Sequence, residues 1–179
     1  MTKHFNIEIK ARCSEHDKIR NEILKFNIAI FKGIDYQTDT YFNVNFGRLK
    51  LREGNIENYL VFYERENTEG PKQSNVIIYE NCQTSTLQDV VTKSLGKFVE
   101  VYKKREIFFI ENVKFHLDTV KDLGTFVEIE AIDKDGDIGK DKLLEQCNYY
   151  LNIFGIDTKD LIACSYSDMI SNKNMKKSE

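Results

Sequence analysis

Arg48, Lys50 and Arg52 occupy alternate positions in Gly47-Arg-Leu-Lys-Leu-Arg-Glu53, so an extended strand turns three cations to one face and Leu49 and Leu51 to the other. On a single strand such a row fits a solvated outer face. Here the pattern recurs. Lys103 shares a face with Arg105, Lys114 and His116 share one with Asp118, Glu128 shares one with Glu130, and Glu8 and Lys10 alternate with Ile7 and Ile9. If these charged faces converge, cations in excess over Glu8, Asp118, Glu128 and Glu130 suit a polyanion accompanied by a hard divalent cation such as Mg²⁺ or Mn²⁺, which takes oxygen ligands and bridges phosphates. A triphosphate is the natural candidate. Its chemistry asks for positioning and charge neutralisation more than for a dedicated histidine base.

Strands must position these groups. Phe5, Ile7 and Ile9 alternate with polar residues in a first strand, and further strand patterns cover Gln37 to Phe42, Gly47 to Glu53, Tyr59 to Glu64, Asn75 to Tyr79, Val99 to Ile110, Val113 to Asp118 and Thr125 to Ile132. Short connections favour antiparallel pairing, because parallel crossovers need a dozen or more residues. Helices are expected over Ser14 to Phe26, with Ser14 as cap, over Leu87 to Leu95 before Gly96, and over Lys140 to Phe154 before Gly155. The class is α+β, an antiparallel sheet or barrel. In a closed barrel the apolar strand faces can pack outward against amphipathic helices, leaving a charged interior that is costly when empty and sensible when it binds something.

The 179 residues, 41% hydrophobic and 31% charged, fit one soluble domain over residues 1–170, with a Lys-, Asn- and Ser-rich tail from Ser171 to Glu179 expected to be disordered. Glu66 to Asn75 holds the only proline, Pro71, and reads as a loop and candidate lid. The net charge of −3 removes any sequence-wide argument for nucleic-acid binding, so an anion site must be local. No apolar run reaches membrane-spanning length. Cys13, Cys82, Cys147 and Cys164 lie far apart and read as reduced thiols in the cytoplasm. Asp133-Lys-Asp-Gly-Asp137 tempts towards a calcium loop, but its glycine comes two positions early and Leu144 occupies the place of the twelfth-position Glu, so it reads as a turn. No P-loop, zinc spacing or nucleophile elbow is present. His4 and His16 read as surface residues, His116 as a lumen or hydrogen-bonding residue, and Tyr166 as a packing residue.

Taken in order, Asn6-Ile-Glu-Ile-Lys-Ala-Arg12, Gln37-Thr-Asp-Thr-Tyr-Phe42, Gly47 to Glu53, Lys103-Lys-Arg105, Lys114-Phe-His-Leu-Asp-Thr-Val120, Leu123 to Glu130 and Ser165-Tyr-Ser-Asp168 resemble the CYTH superfamily of triphosphate tunnel metalloenzymes. The closing motif resembles the class IV adenylyl cyclase branch. The resemblance implies an eight-stranded antiparallel tunnel with helices on its outside and a triphosphate within. By that analogy Glu8, Glu128 and Glu130 hold Mg²⁺ or Mn²⁺ with help from Asp118. Lys10, Arg48, Lys50, Arg52, Arg65, Lys103, Arg105 and Lys114 grip phosphates, and Lys10 is also the candidate base. A homodimer is implied as well. One departure stands out: Asn6 replaces the first glutamate of the ExExK signature, and an amide oxygen ligates a hard cation without bringing charge. Three functions follow: a cyclase making cyclic AMP and pyrophosphate from ATP, a triphosphatase acting on tripolyphosphate, thiamine triphosphate or a nucleotide, and a non-catalytic polyphosphate or nucleotide binder.

Overall fold

A computed structural model describes residues 2–80 and 86–176. Eight strands close into one antiparallel barrel: β1 (Thr2–Arg12), β2 (Ile30–Phe42), β3 (Arg48–Glu53), β4 (Tyr59–Arg65), β5 (Lys72–Glu80), β6 (Lys97–Ile110), β7 (Val113–Val120) and β8 (Gly124–Asp133). Around the barrel they run β1-β5-β4-β3-β2-β6-β7-β8. Helices α1 (His16–Leu24), α2 (Leu87–Leu95), α3 (Lys140–Phe154) and α4 (Tyr166–Met175), with a short 3₁₀ turn at Thr158–Asp160, are the other described elements.

The period-two pattern sorts each strand between two environments. Ile7, Ile9, Phe115, Leu117, Val127 and Ile129 point outward and form the main core with Ile19 and Ile23 of α1 and with Leu143, Cys147, Tyr150 and Phe154 of α3. Each such side chain taken out of water stabilises the fold by roughly 1.5–3 kcal/mol. A smaller core places Val91 of α2 against Phe42 and Leu51. The opposite faces turn inward, and the register decides which charges meet. Glu8 lies opposite Glu130 on one side and Lys72 on the other, and Lys10 lies opposite Glu128. Asp39 faces Arg52, Arg105 faces Asp118, and Lys114 faces Glu130.

Several local expectations are corrected. β2 begins at Ile30 because Gly33, at φ 125°, sits in a bulge that breaks the alternation ahead of Gln37. β5 starts at Lys72, which takes four residues from the expected loop. α1 begins at His16 with no side-chain cap, so Ser14 does not cap it. α4 carries helix to Met175, five residues into the segment expected to be disordered. Ser165 and Asp168 close a reciprocal capping box at its start, which nucleates a helix that composition alone does not suggest. The turn reading at Asp133 holds: its carboxylate accepts from Gly136, Ile138 and Gly139 backbone N–H groups at 2.7–3.1 Å. Cys13, Cys147 and Cys164 are free, and Cys82 lies outside the described residues. No described helix is long and apolar enough to cross a membrane.

Candidate active site

The lumen holds three linked clusters. In the first, Asp39 receives Arg52 through two bonds, from Nε at 2.8 Å and Nη2 at 3.0 Å, together with Lys103 at 2.5 Å and Lys50 at 3.3 Å. Burial alone would raise the Asp39 carboxyl, but Arg52, Lys103 and Lys50 hold it well below the usual carboxylate range. One carboxylate thus serves three cations. Burial, with Arg52, Arg105 and Lys50 adding repulsion, pushes Lys103 down to about 7 against the attraction of Asp39.

The second cluster centres on Arg105, which binds Asp118 through two bonds of 2.7 and 2.5 Å and reaches Glu128 at 2.8 Å. Glu128 also pairs with Lys10 at 2.8 Å and accepts from His116 Nδ1 at 3.0 Å. Burial, with Arg105 and Lys114 close by, pushes His116 down to about 3, so its ring is neutral. Tyr166 enters from α4; its hydroxyl donates to Asp118 at 2.9 Å, and Lys10 Nζ lies 3.8 Å from its ring centroid. Tyr166 therefore does more than pack: it orients Asp118 and shelters Lys10.

Glu8, Glu130, Asn6 and Arg65 form the third cluster. The Asn6 amide donates to Glu130 and Arg65 to Glu8. Burial raises the Glu130 carboxyl, and Glu8 and Glu128 add to it against Lys114. Several buried atoms here have no partner: Asn6 Oδ1, and Arg65 Nε and Nη2. An orphaned amide oxygen beside two facing carboxylates is a hard oxygen donor set, and orphaned guanidinium N–H groups are ready phosphate donors. Glu8, Glu130 and Asn6 thus fit a divalent cation. Glu128 lines the same lumen beside them, shared by Lys10, Arg105 and His116, and Asp118 is held by Arg105 and Tyr166. Among the described residues no three His, Cys, Asp or Glu side chains form a ready metal cluster.

Glu8, Lys10, Lys50, Arg52, Arg65, Lys103, Arg105, Lys114, Glu128 and Glu130 all line one lumen cavity of about 130 Å³. Asp118 lies behind Arg105. Arg48 sits at the mouth, where it binds Asp168 of α4 at 2.9 Å. There a larger cavity, about 1110 Å³, is lined by Tyr41, Arg48, Arg65, Lys72, Ser167 and Asp168 and reaches round the strand ends to Leu144. Lys72 donates to the Ile162 and Ala163 carbonyls at 2.7 and 3.1 Å and so fastens the segment before α4 to the mouth. Burial and Arg65 lower it to about 8. His4 is half-buried and lines the lumen, and His16 bonds the Phe126 carbonyl at 3.0 Å, so neither is a plain surface residue.

The CYTH domain family model matches residues 4–166. The chain belongs to the CYTH family. It is 27% identical over 175 residues to a Methanocaldococcus jannaschii protein named "Putative adenylate cyclase MJ0240", covering 92% of this chain and 98% of that one. A solved structure from Pyrococcus horikoshii, PH1012, superposes with a TM-score of 0.71 at 24% identity over 91% of this chain and 98% of that one. A Hippeastrum protein, "Putative adenylyl cyclase HpAC1", described as having a dominant triphosphatase activity, superposes with a TM-score of 0.62 at 13% identity over 96% of each chain. The two structures show the shared fold.

Within this CYTH barrel, sequence reading missed Asp39, Glu57 and Lys72. Asp39 carried a signal, since it alternates with Gln37 and Tyr41 on one face of β2. Lys72 was masked by the loop-like composition around Pro71. Glu57 lies between strands, where period gives no direction, and only the folded loop turns it inward.

Proposed function

We propose that this CYTH protein is a divalent-cation-dependent enzyme that takes a nucleoside triphosphate with its phosphates in the lumen, and that it cyclises ATP to cyclic AMP and pyrophosphate. The observation that carries this reading is the junction of the two cavities: Tyr41 and Arg65 line both the charged lumen and the larger mouth. A phosphate chain among Lys10, Lys50 and Arg65 leaves room outside the barrel for a nucleoside. Arg65 offers the N–H groups of its unpartnered Nε and Nη2 to phosphate oxygens, and Lys10 and Lys50 add charge from β1 and β3. Tyr166 and Glu128 hold Lys10 in the lumen, where it binds a phosphate and is the candidate base. A cation held by Glu8, Glu130 and the Asn6 oxygen would supply charge neutralisation of the phosphates. The reading includes a homodimer, for which exposed Ile30, Phe31, Ile34 and Tyr36 on β2 offer a surface, and a reducing cytoplasmic setting suited to the free thiols.

A second reading is favoured by Asn6. With one carboxylate fewer, the site supports one cation better than two, and hydrolysis of a terminal phosphate needs less charge than displacement of pyrophosphate. That reading is a triphosphatase, the activity described for the Hippeastrum neighbour. Incubating the purified protein with ATP, tripolyphosphate and thiamine triphosphate, each with Mg²⁺ or Mn²⁺, and resolving the products by chromatography separates the two. Cyclic AMP with pyrophosphate supports the cyclase, orthophosphate the triphosphatase, and binding without product overturns both in favour of a binder.

A further inference from the structure

The lumen is asymmetric: beyond the end of β3 away from Arg48 and α4, it is lined by an acidic side chain that does not belong to any strand. Glu57 sits in the loop 54–58 between β3 and β4, yet it is only 6% exposed. Its Oε2 accepts from Arg52 Nη1 at 2.8 Å and from Gln37 Nε2 at 3.1 Å, and its Oε1 accepts from Lys114. One carboxylate therefore occupies, with both oxygens, the space between two cations of the kind that would hold a terminal phosphate.

The loop is built to keep it there. The Ile56 and Glu57 backbone N–H groups donate to the two oxygens of Asp35, at 2.9 and 3.0 Å, and Asp35 is fully buried. Asn58 closes the loop on itself, accepting from Gly54 N–H at 3.2 Å and donating to the Gly54 carbonyl at 2.9 Å. Asn55 ties it to β2 by accepting from Tyr36 N–H at 2.7 Å and donating to the Ile34 carbonyl at 3.0 Å. A Cβ at Gly54 would lie 2.5 Å from an Asp35 oxygen, so only glycine lets the loop seat this closely. Burial would raise the Glu57 carboxyl, but Lys114 and Arg52 hold it well below the usual range.

From this geometry we infer that Glu57 is a fixed anionic stop that sets how many phosphates the lumen accepts. The inference rests on the lumen being the triphosphate site. A chain entering from the mouth meets free donors at Arg65 and then, at the far end, two cations already paired with a carboxylate that the loop holds in place. A further phosphate would have to displace Glu57 or lie against it, and like charges in a desolvated lumen repel strongly. Phosphate chains longer than the stop allows are excluded by charge as well as by length.

Linear tripolyphosphate and tetrapolyphosphate, titrated calorimetrically into the wild type, Glu57→Gln and Glu57→Asp, test this. The wild type should prefer tripolyphosphate. Glu57→Gln, which keeps the shape and removes the charge, should shift the ratio of the two dissociation constants towards tetrapolyphosphate by about tenfold, some 1.4 kcal/mol. Glu57→Asp, which keeps the charge, should leave the wild-type preference in place. Thermal unfolding confirms that each variant is folded, and the two variants reach the same comparison from opposite sides should either be lost. An unchanged ratio in Glu57→Gln, with tripolyphosphate still bound, overturns the stop and leaves the triphosphate site standing. Failure of the wild type to bind tripolyphosphate at all overturns both.

Discussion

The two faces of β1, β7 and β8 are made by the same strands and obey opposite rules. Outward, Ile9, Phe115 and Ile129 are fully buried against α1 and α3, and nothing polar interrupts them. Inward, Lys10 and His116 sit one residue away along the same chains and are also buried, both held by the partly buried Glu128, Lys10 through an ion pair and the neutral His116 through a hydrogen bond. The outer face gains its free energy from water release, which tolerates no charge. The inner face has already given up the hydration of its ions and recovers it only in part, since buried pairs roughly break even against apolar packing. On these three strands the apolar outer face carries most of the packing and the inner face the candidate site, although Phe126 and Tyr166 add a smaller core on the inner side.

Substitutions on the two faces should separate these roles. The largest effect is expected at Phe115, whose ring packs edge-on against Tyr150 at 4.8 Å and Phe154 at 5.6 Å between centroids. Phe115→Ala should cost about 3–5 kcal/mol of folding stability, read by denaturant unfolding. The dissociation constant of the remaining folded protein for tripolyphosphate should not change; a parallel loss of affinity would mean that the faces are not independent. Next comes Glu130→Gln. It should reduce Mg²⁺- or Mn²⁺-dependent turnover on the order of 10²–10³-fold, as loss of one key electrostatic group does, while stability stays level or rises because a buried carboxyl with a raised pKa is removed. Turnover with unaltered metal dependence would remove Glu130 from the cation site.

This division also explains what could be read from the residues. Alternation at Arg48–Arg52, Lys103–Arg105 and Glu128–Glu130 shows that each strand has a charged and an apolar face, and the boundaries of α2 and α3 follow from their apolar spacing and the glycines that end them. Alternation does not show which opposite charges meet. Asp118 illustrates the gap: it shares a face with Lys114 and His116, yet the β6–β7 register gives it to Arg105, and α4 gives it Tyr166 as well. Glu57 and Lys72 escaped because loops and strand ends have no period. Their directions are fixed by Asp35 and by the Ile162 and Ala163 carbonyls, partners distant in sequence.

Arg65 and Arg52 sharpen the comparison within the lumen. Both are buried, but Arg52 has its donors committed to Asp39 and Glu57, whereas Arg65 keeps Nε and Nη2 without a partner. Arg65→Ala should weaken tripolyphosphate binding by about 1.5–3 kcal/mol, the scale of hydrogen bonds to charged groups. Arg52→Ala should weaken it less, because its donors serve protein carboxylates before ligand arrives. A larger loss at Arg52 would mean that the chain rearranges on binding.

The smallest effect concerns a proton. In the free protein Lys103 titrates near 7, pushed down by burial and by Arg52, Arg105 and Lys50. A bound polyphosphate brings negative charge to that cluster and raises the value, so the protonated form is the one that binds better. Affinity contributed by Lys103 is therefore complete below about pH 7 and falls as the pH rises above it, by at most one decade per pH unit for one proton. Calorimetric titration of tripolyphosphate without metal, from pH 6 to 9, should show this fall in the wild type relative to Lys103→Arg, whose guanidinium stays charged throughout and cancels the ligand's own titration from the comparison. At pH 8, repeating the titration in buffers of different ionisation enthalpy should show more proton uptake by the wild type than by the variant. Identical pH profiles for the two proteins would mean that Asp39 already keeps Lys103 charged, and that the lumen's cations are fixed before the ligand enters.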